Sequence, residues 1–96
     1  MDINRIKKAA LEEAMNTPVL VCVNANHEGC ELPERLVGDI CLLLGHNLPA
    51  PIEDYWADNE GFEVGLLFST GYFKCRVPWE AVYAFASEDH KQEILF

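Results

Sequence analysis

The first stretch of alternating apolar and polar positions predicts a helix. From Ile3 to Met15, apolar residues recur every three or four positions, which is the spacing of one face of an α-helix. Pro18 then ends the pattern, because proline lacks an amide N–H and disfavours helical geometry in the residue before it. A helix of this length is marginally stable alone in water. We therefore expect its apolar face to pack against a sheet or against a second copy of the chain.

The rest of the chain shows the patterns of short strands separated by turns. Val19–Val23 is rich in β-branched residues, and Tyr72–Val77 alternates apolar with basic positions, which indicates a strand with one wet face. Pro33 favours an edge strand. Ile40–Leu44 is apolar on both faces and is therefore expected to be a central strand. Further strands are predicted at Cys30–Val37, Ile52–Ala57, Phe62–Phe68 and Glu93–Phe96.

The order of these elements predicts the fold class. Pro78 suits the first position of a helix, so a short helix is expected over Trp79–Ala86. The strands do not alternate regularly with helices, which argues against a parallel sheet. We predict one α+β domain, mainly β, over residues 1–96, with a helical segment 1–16 and a compact antiparallel barrel or sandwich over 17–96.

Composition and charge exclude several classes of function. Seven Lys and Arg stand against sixteen Asp and Glu, giving a formal net charge of −9. The basic residues are scattered, and the pair Lys74 and Arg76 is too small for the clustered basic face that nucleic acid requires. The apolar runs are far shorter than a membrane span. The acidic start lacks the features of a secretory signal, so we expect a cytoplasmic protein with no membrane or nucleic-acid partner.

The four cysteines do not suggest a metal or cofactor. No two of them have the C-x-x-C spacing typical of zinc and redox sites. We interpret them as reduced, buried, small apolar side chains. They are Cys22, Cys30, Cys41 and Cys75.

No catalytic constellation stands out. Adjacent strand residues such as Glu53 and Asp54 point to opposite faces and cannot act together on one bond. Ser69 and Thr70 lack the motif of a nucleophile elbow. Three histidines, His27, His46 and His90, fall in predicted turns without a ligand partner at suitable spacing. We therefore expect a protein that is not an enzyme. A closed pocket containing an acid–base pair with shifted pKa values would instead favour an enzyme.

What remains from residue chemistry is a binding module. A small antiparallel domain with aliphatic and aromatic edge strands can accept an extended peptide by strand addition or in a groove. Trp56 precedes an acidic turn and is a candidate for an exposed apolar surface.

The order of several short motifs resembles that of one adaptor family. The motifs are Thr17-Pro18 before Val21 and Val23, then Leu32-Pro33, Ile40–Leu44, Phe62-Glu63-Val64 with Phe68, Val77-Pro78, Ala81-Val82 and Phe96. Each is short, but together they span nearly the whole chain. In this order the sequence resembles the stringent starvation protein B (SspB) family of adaptors for the ClpXP protease.

The resemblance implies an Sm-like β fold and a groove for the ssrA degradation tag, which is added to stalled nascent chains. It also implies a homodimer formed through the N-terminal helix. Such adaptors catalyse no reaction; they raise the local concentration of tagged substrate at ClpX through a flexible tether. The residues of the implied dimer interface are Ile3, Ile6, Ala10, Leu11 and Ala14.

The same resemblance maps the implied peptide site onto this sequence. The strand stretch Leu66–Phe68, with the following Ser69-Thr70, matches the tag-contacting edge, and Leu44 with His46 ends the strand expected nearby. Alternatively, Leu66 or Phe68 belongs wholly to the core. Ser69-Thr70 stands where the family commonly has Gly-Gly, so the turn is expected to differ.

Two further expectations concern charge and delivery. The ssrA tag carries carboxylates, so a domain of charge −9 repels it unless Lys74 and Arg76 compensate. The folded domain of the family ends near the position of Phe96, so no ClpX-docking tail is expected within these residues. The alternative function is therefore an Sm-like interaction domain that keeps the fold and dimer but lacks delivery to ClpX.

Overall fold

Helix α1 spans Ile3–Ala14 in the computed structural model, which describes residues 2–96. Asp2 is its N-cap, and the Asp2 carboxylate accepts a hydrogen bond of 3.0 Å from the backbone N–H of Asn4. Met15 caps the other end. The helix predicted from the spacing of apolar residues is therefore confirmed.

Seven strands follow α1 in the described chain. They are β1 (Val19–Asn24), β2 (Asp39–Leu44), β3 (Glu53–Ala57), β4 (Gly61–Phe68), β5 (Gly71–Pro78), β6 (Val82–Ser87) and β7 (Glu93–Leu95). A single turn of 3-10 helix, Trp79–Ala81, lies between β5 and β6.

The strands form two antiparallel sheets. One has the order β2-β1-β6-β7 and the other the order β3-β4-β5. All paired strands are antiparallel. The expected class, α+β and mainly antiparallel β with an N-terminal helix, is confirmed.

The core is built from the inward faces of both sheets and of α1. Its apolar residues alternate along the strands, as expected where one face is buried. The main contributors are Leu11 and Met15 of α1, Val21 and Val23 of β1, Leu42 and Leu44 of β2, Phe62 and Val64 of β4, Cys75 and Val77 of β5, and Phe85 of β6, together with Trp79.

The hairpins predicted from turn signals are present. β3 pairs with β4 across the turn that contains Gly61 at its end, and β4 pairs with β5 across Ser69-Thr70. Phe68 lies opposite Gly71 in that second hairpin, and Gly71 has a φ of +113°. Only glycine adopts such a backbone conformation readily, so the tight return depends on it.

The prediction that Ile40–Leu44 is a central strand is wrong. The corresponding strand β2 lies at the edge of its sheet and has only β1 beside it within residues 2–96. The run is apolar on both faces because Cys41 and Leu43, which point away from the core, border a groove. The apolar residues on the outer face therefore line a groove and are not covered by a further strand within residues 2–96.

The helix predicted over Trp79–Ala86 is also wrong. Only Trp79–Ala81 forms a helical turn, and β6 begins directly after it. Trp79 is held by partners distant in sequence: its N–H donates to Glu60 O at 3.0 Å and its indole Nε1 donates to Asp58 O at 2.8 Å. These tertiary hydrogen bonds determine the conformation here, although the spacing of the apolar residues favours a longer helix.

The short strand predicted over Cys30–Val37 is absent from the described chain. Only Glu31 pairs with a strand, exchanging backbone hydrogen bonds of 2.8 and 3.0 Å with Arg76 at the edge of β5. Pro33 then begins a turn in which its carbonyl accepts the N–H of Leu36 at 2.9 Å. Because proline has no N–H to donate, pairing stops after one residue.

The cysteines are less uniformly buried than expected. All four are free thiols, but Cys75 alone is fully buried, whereas Cys22 and Cys30 are half-buried and Cys41 is exposed. The interpretation of all four as buried side chains is therefore wrong, most clearly for Cys41.

Candidate peptide-binding groove

An apolar groove lies between the edge strand β2 and the end of β4. The segment 48–52 lines it as well, and the groove has a volume of about 340 Å³. None of its lining side chains is charged. They belong to Cys41, Leu42 and Leu43 of β2, to Leu48, Pro49, Ala50 and Ile52 of the connection to β3, and to Leu66, Leu67 and Phe68 of β4.

The strand β2 brings backbone hydrogen-bonding groups to this groove. In the described chain it pairs only with β1, in a continuous register from Val19↔Leu44 to Asn24↔Asp39. The N–H and C=O groups that point away from β1 therefore have no sheet partner, and such an edge is a template for an added strand. The groove thus combines apolar side chains with an open backbone edge.

The connection that lines the groove is fixed at both ends. At its start, the N–H of His46 donates to Met15 O at 3.0 Å. Gly45 packs so closely that an added Cβ would lie 3.3 Å from the backbone of Thr17 and Pro18. Near its other end, Tyr72 Oη donates to the carbonyl of Pro51 at 2.8 Å. The groove wall is therefore anchored to α1, β1 and β5.

Three consecutive residues of β4 present different surfaces to the groove. Leu66 is 8% exposed and belongs mostly to the core, whereas Leu67 is 52% exposed. Phe68 is half-buried, and its ring meets Phe73 edge-on with centroids 6.4 Å apart. Leu66 thus packs in the core, Phe68 is partly accessible, and Leu67 offers the most accessible apolar surface of the three.

One cation lies at the aromatic end of the groove. The guanidinium carbon of Arg35 lies 5.5 Å from the ring centroid of Phe68, within the range of a cation–π contact. The two cations expected to offset the acidic charge, Lys74 and Arg76, do not line the groove. Arg76 instead faces Glu63, with Nη1 3.8 Å from the Glu63 carboxylate. Arg35 does not line the groove either, but its contact with Phe68 places a cation beside one of the groove residues.

The structure brings together only part of the expected peptide site. Leu66 and Phe68 line the groove, as the resemblance implies. Leu44 is fully buried in the core and has no surface to offer a peptide. His46 and Ser69-Thr70 are exposed in turns beyond the groove lining. The expectation for Leu44 is wrong because the last residue of β2 points inward.

Other groove residues were missed by the sequence reasoning. Leu67 lies within the implied stretch Leu66–Phe68, but the alternation of strand residues favours positions 66 and 68 as the site residues. The segment 48–51 shows no strand or helix pattern, and its position depends on the contact between Tyr72 and Pro51. A signal was present in Leu43, whose apolar side chain lies on the outward face of an otherwise inward-packed strand.

The expected dimer face of α1 divides into two parts. Ile3 and Ile6 are exposed, whereas Ala10 and Ala14 are half-buried. Leu11 is fully buried in the core of its own protomer. Leu11 therefore stabilises the fold and cannot contact a second copy, while Ile3 and Ile6 remain available surface.

One titratable pair links the helix to the second sheet. Tyr55 Oη donates to the Glu12 carboxylate at 3.1 Å, and burial together with this carboxylate raises the pKa of Tyr55. This contact joins β3 to α1. Within residues 2–96, no group of three or more His, Cys, Asp or Glu converges in the manner of metal ligands. No helix in this part of the chain is long and apolar enough to cross a bilayer.

Comparison with known proteins adds no assignment. No family model matches the chain, and the search of curated proteins found no match. The groove is therefore interpreted from its geometry and from the pattern of residues in the sequence.

Proposed function

We propose that this protein is a non-enzymatic adaptor of the SspB type whose groove holds the extended end of an ssrA-tagged chain. The observation that carries the proposal is the uncharged groove in which Leu66, Leu67 and Phe68 face the free edge of β2. Leu66 and Phe68 are also two of the residues that the sequence resemblance assigns to tag contact.

The two walls of the groove suit an extended peptide. Strand β2 has six residues, so its edge is about 20 Å long at roughly 3.3 Å per residue. A peptide added to this edge forms main-chain hydrogen bonds, while alternate side chains point into the apolar space beside β4. Backbone bonding supplies affinity, and the shape around Leu67 and Phe68 supplies selectivity among side chains.

Charge sets a second requirement for the bound peptide. The chain carries a formal net charge of −9, so an acidic peptide is repelled at long range. Arg35 beside Phe68 offers a local cation for one carboxylate. Added salt screens both the long-range repulsion and the attraction to Arg35. If the repulsion is the larger effect, added salt strengthens binding of an acidic tag. If the attraction to Arg35 is the larger effect, added salt weakens it.

The remaining features of the proposed adaptor follow the same resemblance. An Sm-like arrangement of the strands is supported by the antiparallel sheets and the preceding helix α1. Self-association is supported by the exposed Ile3 and Ile6. The proposal also includes delivery of the tagged chain to ClpX in the cytoplasm. A tether that binds ClpX makes the encounter between ClpX and the tagged chain intramolecular, at effective concentrations up to the millimolar range.

The proposal is tested by titrating the protein into a fluorescently labelled ssrA-type peptide and following its anisotropy. Saturable binding below a few hundred micromolar supports a tag-binding adaptor. A scrambled peptide of the same composition controls for charge and hydrophobicity. Absence of saturable binding in that range contradicts the proposal and favours the alternative, an interaction domain with this fold that does not carry tags.

A further inference from the structure

Two of the four thiols face each other on the outer side of the four-stranded sheet. Cys22 of β1 lies directly opposite Cys41 of β2 in the strand register, and their Sγ atoms are 3.6 Å apart. The other two cysteines have no such neighbour, since the thiols of Cys30 and Cys75 contact the backbone carbonyls of Asn24 and Phe73.

The geometry is close to that of a disulfide. A bond requires the sulfurs to approach to about 2.05 Å, with Cβ atoms about 3.5 to 4.5 Å apart. Directly opposite residues of antiparallel strands have Cβ atoms about 4.5 to 5.5 Å apart. The two cysteines therefore need to move only slightly closer to form the bond. Strand β2 can make this movement because it is an edge strand with only β1 beside it in the described chain.

The two thiols differ in access. Cys41 is exposed, and Cys22 is half-buried. Burial, followed by the contact with Cys41, raises the pKa of the Cys22 thiol to about 11. An external oxidant therefore meets Cys41 first, and Cys22 is placed to react second, within the protein.

We propose that Cys22 and Cys41 form a reversible dithiol–disulfide site that responds to low-molecular-weight disulfides such as oxidised glutathione. Cys41, as its thiolate, attacks one sulfur of the small disulfide, forming a mixed disulfide and releasing one small thiol. Cys22 loses its proton and attacks the Cys41 sulfur, which forms the internal bond and releases the second small thiol. The protein dithiol is oxidised by two electrons, and the small disulfide is reduced to two thiols.

The bond has a structural consequence for the chain between the two strands. It closes the segment 22–41, which contains the irregular connection between β1 and β2. Cross-linking this segment reduces the conformational freedom of the unfolded chain and stabilises the fold. Cys41 also borders the groove, so the bond ties the groove-facing edge strand to its neighbour. In a reducing compartment the pair stays open, and the bond forms under oxidising stress.

The test is to incubate the folded, reduced protein with oxidised glutathione, block the remaining thiols with an alkylating reagent, and measure intact mass and peptide linkage. We expect the wild type to lose two alkylatable thiols, to retain no glutathione, and to yield a linked Cys22–Cys41 peptide that dithiothreitol reverses. The oxidised protein should also unfold at a higher temperature than the reduced protein.

Two variants separate the internal bond from simple surface oxidation. Cys22→Ser removes the second thiol, so we expect glutathione to remain attached at Cys41. Cys30→Ser is the matched control and should form the same internal bond as the wild type. The proposal is overturned if wild-type protein keeps all four thiols, retains a stable glutathione adduct, or links a different pair or a second chain.

Discussion

The ammonium of Lys7 donates a hydrogen bond of 2.7 Å to the backbone carbonyl of Trp79, 72 positions further along the chain. A second bond of 2.7 Å goes to the carbonyl of Val82. Lys7 is almost fully buried, and desolvation lowers its pKa, partly opposed by Glu80. A charged side chain on the inner face of α1 thus fixes the turn between β5 and β6.

Replacing this lysine should destabilise the protein more than replacing an exposed one. Lys7→Met keeps most of the side-chain volume but leaves two buried carbonyls without their donor, so we expect the free energy of unfolding to fall by about 2 to 3 kcal/mol. Urea denaturation measures the change. Lys8→Met is the control, because Lys8 forms only a surface pair with Glu12 at 3.3 Å, which contributes less than about 1 kcal/mol. Equal stability of the two variants would show that the contacts of Lys7 are unimportant.

Stability should decrease at alkaline pH because of Cys75. Burial raises the pKa of this thiol to about 11 from its usual value of 9.0. Between these values the unfolded chain loses the Cys75 proton while the folded chain keeps it, so the folded state loses stability as pH rises. The stabilisation that comes from burying this thiol in its neutral form is complete below pH 9, and it is lost as pH rises through 11.

The matched variant for this test is Cys75→Ala, which removes the titrating group. The variant is less stable at pH 8 because it leaves a cavity, but its stability should depend less on pH. We expect the difference in unfolding free energy between wild type and variant to shrink by about 2 kcal/mol from pH 9 to pH 11, measured by urea denaturation. A difference that stays constant with pH contradicts this role for Cys75.

Self-association should depend on the exposed side of α1. Ile6→Glu introduces a charge on the exposed apolar surface next to Ile3, so it should convert a dimer to monomers while the circular dichroism spectrum stays unchanged. Sedimentation velocity measures the change, and Ile94→Glu is a control at an exposed isoleucine on β7. Leu11→Glu should unfold the protomer instead, because Leu11 is buried in its core. A wild type that is monomeric at about 100 µM, a concentration suited to weak dimers, would contradict the dimer proposal.

Local patterns predicted much of the fold. The three- and four-residue spacing of α1 and the two-residue alternation of β5 depend on neighbours along the chain, and Gly71 marks a turn by its own conformational freedom. The turn at Trp79 could not be predicted this way. Its backbone and indole bond to Glu60, Asp58 and Lys7, and such partners are not encoded in the local pattern.

The candidate site was predicted less completely than the fold. The resemblance pointed to Leu66 and Phe68, which line the groove, although Leu66 is largely buried, and also to Leu44, which is fully buried and does not line it. The groove exists because β2 is an edge strand and because Tyr72 holds the connection at Pro51. Both facts depend on which strands become neighbours, and a run of apolar residues does not specify that.

In the proposed function, an extended peptide lies in the groove against β4. Its most direct test compares the affinity of a labelled ssrA-type peptide for wild type, Leu67→Glu and Leu95→Glu. Both leucines are exposed, at 52% and 73%, but Leu95 lies on β7, at the opposite edge of the four-stranded sheet from β2. We predict that Leu67→Glu weakens binding by about tenfold or more, whereas Leu95→Glu leaves it within about twofold of wild type. Equal affinity of the two variants for the peptide would contradict the claim.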